Sequence, residues 1–265
     1  MSSLRAAIQK HPITAFAIAT YVLSWWSVPF AGGGLIPHGP FLAAVILLAL
    51  TEGRAGVSRL LRRLTAWPGR WYWFVIGPGL VVAYLLVAAL LNSILGGATN
   101  SVAPLRSFGP TFLMLLLLGG LWEEPGWTGY ALPLLQERYA SRPRGLLLAS
   151  LHVGAIRALW HLPLVLSGAI AWYDMLFLSF ALQFLISWIF NRTGGSLLVV
   201  MLLHLTSNVV GGGLMLPLYA GLDNDRYYKL FIAVAALLAI ALARMNGWSM
   251  GRRTPAEAAA QPGGR

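Results

Sequence analysis

GGLWEEPGWTGYALPLL, residues 119–135, sets two adjacent carboxylates, Glu123 and Glu124, in an otherwise apolar run. The stretch that leads into them, TFLMLLLLGGLW (111–122), carries no charge and reads as a helix facing hydrocarbon or buried deep in protein. An ionised carboxylate is costly there and needs a cation, a proton or water. Two later segments hold candidate partners. ALWHLPL (158–164) carries His161, and HLTSN (204–208) carries His204 and Asn208. Two glutamates, two histidines and an asparagine on three separate apolar segments read as one intramembrane site. An E/H/H set suits activation of water, either by a glutamate directly or through a bound metal.

Working outward, the chain has 265 residues, of which 58% are hydrophobic and only 10% charged. A soluble domain carries about 25% charged residues. Here the apolar residues also come in long blocks, so the chain reads as a multi-pass protein of the cell membrane with membrane lipids as its surroundings. Cysteine is absent, which closes disulfide and thiolate chemistry. A span needs about 20 mainly apolar residues. On that criterion eight are expected, at roughly 13–30, 35–51, 72–95, 110–134, 145–166, 172–190, 195–217 and 229–246. Helices are the default, because the bilayer core offers backbone groups no partner outside helices and closed barrels, and no strand alternation suggests a barrel.

The net charge of +11 fits this topology and does not call for nucleic acid. With the N-terminus inside, fifteen of the nineteen Lys and Arg fall in inner segments. Arg106, Arg226 and Lys229 fall outside, and Arg157 lies within a span. That bias places both termini in the cytoplasm. The first apolar stretch reaches Phe30 with no small-residue cleavage site after it, so it is expected to be a retained span. Residues 52–71, EGRAGVSRLLRRLTAWPGRW, are basic and carry Val57, Leu60, Leu61 and Leu64 at helical spacing. They read as a helix on the inner surface with arginines toward lipid phosphates, or as an ordinary positive loop. Residues 136–145 and 221–229 read as polar loops, the latter holding Asp223 and Asp225. The expected fold is thus all-α: one integral membrane helix bundle over 1–265, a catalytic core at 110–211 and a disordered tail at 247–265.

Consecutive helical residues diverge by about 100°, so Glu123 and Glu124 face different neighbours and take different roles. Two carboxyl groups this close in low dielectric do not both ionise readily. One then serves as a general base toward water; the plainer reading is a buried ion pair with Arg157 or a histidine. His161 precedes Leu162 and Pro163, and the proline bends or ends the helix nearby. His204 and Asn208 are four apart and share a helical face. They suit metal binding, proton transfer or oxyanion stabilisation, or else glue two helices together. His152 is a weaker candidate, and His11 and His38 sit at span ends.

These segments resemble the CPBP family of intramembrane proteases, which includes CAAX prenyl endopeptidases and bacteriocin-processing and abortive-infection-type enzymes. Its motifs, E-E-x-x-x-R, F-x-x-x-H and H-x-x-x-N/D, appear here as EEPGWT, RALWH and HLTSN. The resemblance covers about 111–211. It implies that Glu123 activates the attacking water beside His161, that Glu124 orients or shares protons, and that His204 and Asn208 stabilise the oxyanion. Glu123, His161 and His204 would hold zinc or another divalent metal in one version; a metal-free route is the other. The implied substrate is a peptide or membrane protein, with or without a lipid group. Two positions depart from the pattern: Thr128 stands where the arginine is expected, and Arg157 where an aromatic is. The expectation is that Arg157 supplies the missing guanidinium to Glu124 or Glu123. The rival classes are a catalytically silent scaffold or immunity factor and a proton-coupled transporter. The latter is disfavoured because no inverted repeat is found.

Overall fold

The computed structural model describes residues 2–252 and, among them, is helical throughout with no β-strand. The principal helices in chain order are α1 (Ser2–Lys10), α2 (Pro12–Trp25), α3 (Gly39–Leu64), α4 (Trp73–Ile94), α5 (Phe108–Leu118), α6 (Leu132–Arg138), α7 (Gly145–Trp160), α8 (Ser179–Arg192), α9 (Leu197–Thr206) and α10 (Gly221–Met245). Among the described residues five helical stretches are long and apolar enough to cross a membrane: α3, α4, Asp174–Arg192 leading through α8, Leu197–Leu218 beginning with α9, and α10. α2 and α7 are apolar but shorter.

The outside of this bundle is apolar. Leu86, Leu90, Ile94, Leu113, Leu117, Leu159 and Leu237 are each more than half exposed. Lipid tails are as apolar as leucine, so such a bundle is held by close packing and by polar contacts between helices rather than by removing surface from water. The packing centre is α9, where Leu197, Val199, Val200 and Leu203 are wholly buried. α9 packs on α4 and α8, α8 packs on α7 and α10, and α10 returns to α4. α2 lies along α3, and α3 supports the turn that follows Glu123.

Four expectations need correction. The span at 110–134 is not one helix. It stops at Leu118, where Gly119 turns extended (φ −90°, ψ 175°), and resumes as a tight turn, Gly120–Glu123, before a wide π-helical turn, Trp127–Ala131, and α6. The first span stops at Trp25 and gives way to turns instead of reaching Phe30. Residues 221–229 are not a loop but the first turns of α10, with Lys229 and Asp225 paired at 2.7 Å across one turn. The tail begins folded: Asn191 Nδ2 donates to Met250 O at 2.8 Å, and the Met250 side chain is buried. Residues 253–265, the rest of the stretch expected to be disordered, lie outside the described residues.

The basic stretch after the second span is helical as far as Leu64, and residues 65–71 are turns and irregular chain. α3 runs through it, but Gly53 breaks the run with φ 64° and ψ −153°, a region that residues with a Cβ avoid. Beyond the break Leu60 is buried, Val57 and Leu64 pack on the core, and Leu61 faces out. Arg63 Nη1 donates to Gly129 O at 2.9 Å, tying this segment to the π-helical turn after the glutamates. Gly53→Ala is expected to lower stability by about 1–3 kcal/mol, from the cost of forcing that backbone geometry on alanine. Denaturant unfolding in detergent checks it, with Gly79→Ala, at an open helical site, as the control.

Candidate active site

The break at Gly119 places the glutamates at the start of a new helical piece. Pro125 sits in its first turn, where a missing N–H costs nothing. Glu124 is wholly buried and fully engaged. Its Oε1 accepts from Arg157 Nη2 at 2.6 Å and from His204 Nδ1 at 2.7 Å, and its Oε2 accepts from Thr128 Oγ1 at 2.5 Å. Arg157 comes from α7 and His204 from α9, so one carboxylate joins three parts of the fold. Arg157 is 1% exposed, and its guanidinium lies 5.7 Å from the centre of the Trp127 ring. A buried charge is tolerated only when paired and hydrogen-bonded, and Glu124 meets both conditions.

Glu123 is placed differently. Its Oε2 accepts from Trp127 Nε1 at 3.3 Å, while the side chain lines a cavity of about 640 Å³. Arg157, His161, His204 and Asn208 line the same cavity. The tightest convergence is at Gly120. A methyl built there would lie 2.7 Å from Glu123 Oε1, 2.5 Å from His204 Nε2 and 2.8 Å from Asn208 Nδ2. A carboxylate oxygen, an imidazole nitrogen and an amide thus surround one point that only the bare glycine leaves clear.

The two histidines are oriented by their Nδ1 atoms. His204 Nδ1 faces the Glu124 carboxylate, which can only accept, so Nδ1 carries a hydrogen and Nε2 is turned toward Glu123 and Asn208. His161 Nδ1 lies 3.0 Å from the carbonyl oxygen of Arg157, which likewise fixes a hydrogen on Nδ1 and frees Nε2. His161 is the last residue before the turn into Leu162–Leu166, so the proline does end α7 there. His152 stands apart, its Nδ1 2.9 Å from the Tyr139 hydroxyl. His38 stacks on Trp122.

All five residues expected to be catalytic therefore gather at this site, and Arg157 pairs with Glu124 rather than Glu123. Sequence reasoning missed Trp127 and Gly120, and marked Thr128 only as a departure from the motif. Trp127 and Thr128 each stand four residues after the glutamate they serve, which is the helical spacing that could have marked them. The expected metal set is not assembled: among the described residues no three His, Asp or Glu side chains are placed to hold an ion together. His204 Nδ1 is committed to Glu124, and His161 Nδ1 to a backbone carbonyl.

Comparison with known proteins bears on the segment that builds this site. Residues 105–210 match the family model described as type II CAAX prenyl endopeptidase Rce1-like. This segment is similar to the CPBP family. CAAX prenyl protease 2 of Methanococcus maripaludis is 31% identical over 146 residues, covering 49% of this chain and 52% of that protein. The chain thus spans about half the length of the curated relative it matches. The matched segment runs from the short turn before α5 to the π-helical turn after α9, and so contains Glu123, Glu124, Arg157, His161, His204 and Asn208.

Removing one member of a buried ion pair leaves the other charge unpaired, at about 3–5 kcal/mol. Arg157→Ala is expected to destabilise the protein by that amount in denaturant unfolding, and Arg157→Lys by less. Wild-type stability in Arg157→Ala would show that Glu124 does not depend on this guanidinium.

Proposed function

We propose that this protein is an intramembrane endopeptidase that hydrolyses a peptide bond with water activated by Glu123. The observation that carries the reading is the cluster around Gly120: a glutamate oxygen without a hydrogen-bond donor among the described residues, the free nitrogen of an oriented histidine and an asparagine amide, all at one point in a cavity. The family of residues 105–210 supports the same reaction class.

In this reading Glu123 takes a proton from water, and the resulting hydroxide attacks the carbonyl carbon of the scissile bond. The carbonyl oxygen becomes an oxyanion. Asn208 Nδ2 donates to it, with His204 Nε2 at the same point. When the intermediate collapses, the C–N bond breaks and the leaving amine takes the proton held by Glu123. His161 Nε2 accepts from the water and holds it for attack. Glu124 does no bond-making. Held by Arg157 and Thr128, it fixes the tautomer and the angle of His204. The substrate is a peptide or membrane-protein segment that reaches the cavity from the bilayer of the cell membrane, and the apolar wall at Met114, Leu115, Leu164 and Leu182 suits an apolar or lipidated neighbour of the bond.

Glu123→Gln is expected to lower peptide cleavage by about 10²–10⁴-fold, the usual share of a general base, with folding intact. Gly120→Ala is expected to lose about 10²-fold through misplacement of the reacting groups. Cleavage of a quenched fluorescent peptide library in liposomes checks both. Wild-type rates in Glu123→Gln would remove the hydrolytic reading and favour a silent scaffold.

Because three ligands are not assembled, purified protein is expected to contain far less than one zinc per chain and to keep its activity after chelation. Mass spectrometry for metals decides this. Stoichiometric zinc that disappears in both Glu123→Ala and His161→Ala would replace the direct glutamate route with a metal-assisted one.

A further inference from the structure

The proposed mechanism leaves one charged group of the cavity unused. Asp174 lines the same cavity as Glu123 and His161, at the start of the π-helical turn Asp174–Leu178 that leads into α8. It is half-buried, and its Oδ2 accepts a hydrogen bond from the Tyr228 hydroxyl of α10. Its Oδ1 has no partner among the described residues. Nor does any described cation pair with it. Lys229, one residue beyond Tyr228, is held by Asp225 at 2.7 Å and lies 5.8 Å from the centre of the Tyr173 ring. Arg226 is held by Asp223 at 2.7 Å and by Asn92 at 2.7 Å. Inside the cavity, Arg157 is committed to Glu124.

The surroundings make a lone carboxylate costly. Leu178, Ile170 and Phe231 line the wall around it, and the ring of Tyr228 is fixed by stacking on Phe231 at 5.3 Å and by an edge contact with Tyr173 at 5.4 Å. A carboxylate in such a place is stabilised by whatever cation or strong donor can reach it. The chain keeps Arg226 and Lys229 on other acids, so a cation for Asp174 would arrive with the occupant of the cavity.

We infer that Asp174 is a specificity-determining residue, with its free carboxylate oxygen receiving an ammonium or guanidinium group of the peptide bound in the cavity. The inference rests on the cavity being the peptide site. Lysine, arginine and a free α-amino terminus present the same chemistry there. Tyr228 acts as the positioning residue that aims the carboxylate.

The test uses full-length Glu123→Gln protein in detergent, so that binding is read without cleavage. The probes are fluorescent leucine–alanine decapeptides in which one lysine is moved along the chain, each matched by a peptide with norleucine in its place. One further pair compares a free with an acetylated amino terminus, which separates a side-chain cation from a terminal one. At one position of the cation the charged peptide is expected to bind about tenfold tighter than its neutral match. Asp174→Asn added to the same protein removes that difference while leaving the norleucine peptides unchanged, and Asp174→Arg reverses it in favour of glutamate peptides. The inference is overturned if Asp174→Asn weakens charged and neutral peptides alike, which would make the residue a strut for Tyr228, or if no position of the cation is preferred. Cleavage of the same peptides by wild-type protein is followed in parallel. Discrimination without any cleavage would sink the hydrolytic reading and leave the Asp174 assignment standing.

Discussion

A wholly buried carboxylate has to be satisfied by the protein itself, and the Glu124 side chain sets that condition for the rest of the structure. Its two oxygens take three donors from three separate pieces of chain: Thr128 one turn on, Arg157 from α7 and His204 from α9. In a bundle whose exterior is as apolar as its surroundings, contacts of this kind decide which helix sits beside which. The ion pair therefore does two jobs. It fastens α7 and α9 to the glutamate turn, and it turns His204 so that Nε2 faces Glu123. The cost of hiding the charges is offset by the site they assemble.

The backbone around the site is irregular, and two of its irregular pieces line the cavity. π-helical turns run over Trp127–Ala131, Asp174–Leu178 and Ser207–Met215, and a break with extended geometry stands at Gly119. Wide turns of this type are rare in helices and gather at functional sites. Here they widen the spacing of side chains just where Asp174, Ser207 and Asn208 face the cavity. Non-helical backbone is tolerated at membrane depth where it lines a cavity, because water or an occupant can then serve its polar groups.

Much of this was legible in the residues alone. The all-helical bundle follows from the long uncharged runs, and the grouping of Glu123, Glu124, His161, His204 and Asn208 follows from the cost of leaving any of them unpartnered in an apolar helix. That Arg157 pairs with one of the two glutamates was legible for the same reason, and the structure shows that the partner is Glu124. What was not legible depends on local geometry that composition does not record. Hydropathy averages over the Gly119 break, so residues 110–134 read as one span. The acids at 223 and 225 suggested a loop, but pairs at helical spacing with Arg226 and Lys229 let α10 begin at Gly221. The role of Gly120 lies in the absence of a side chain, and no pattern of residue types shows how closely three polar atoms approach it. Orientation rests on the distribution of arginines and on nothing in the packing.

The three-way hold on Glu124 also couples positions 128 and 157 under any change of sequence. Thr128 and Arg157 are both buried against the same carboxylate. An arginine placed at 128 beside Arg157 would crowd two guanidiniums onto one acid whose oxygens already hold three donors. Removing Arg157 alone would strand the acid. Each single change is therefore expected to weaken the hold on Glu124, which binds the two positions to change as a pair.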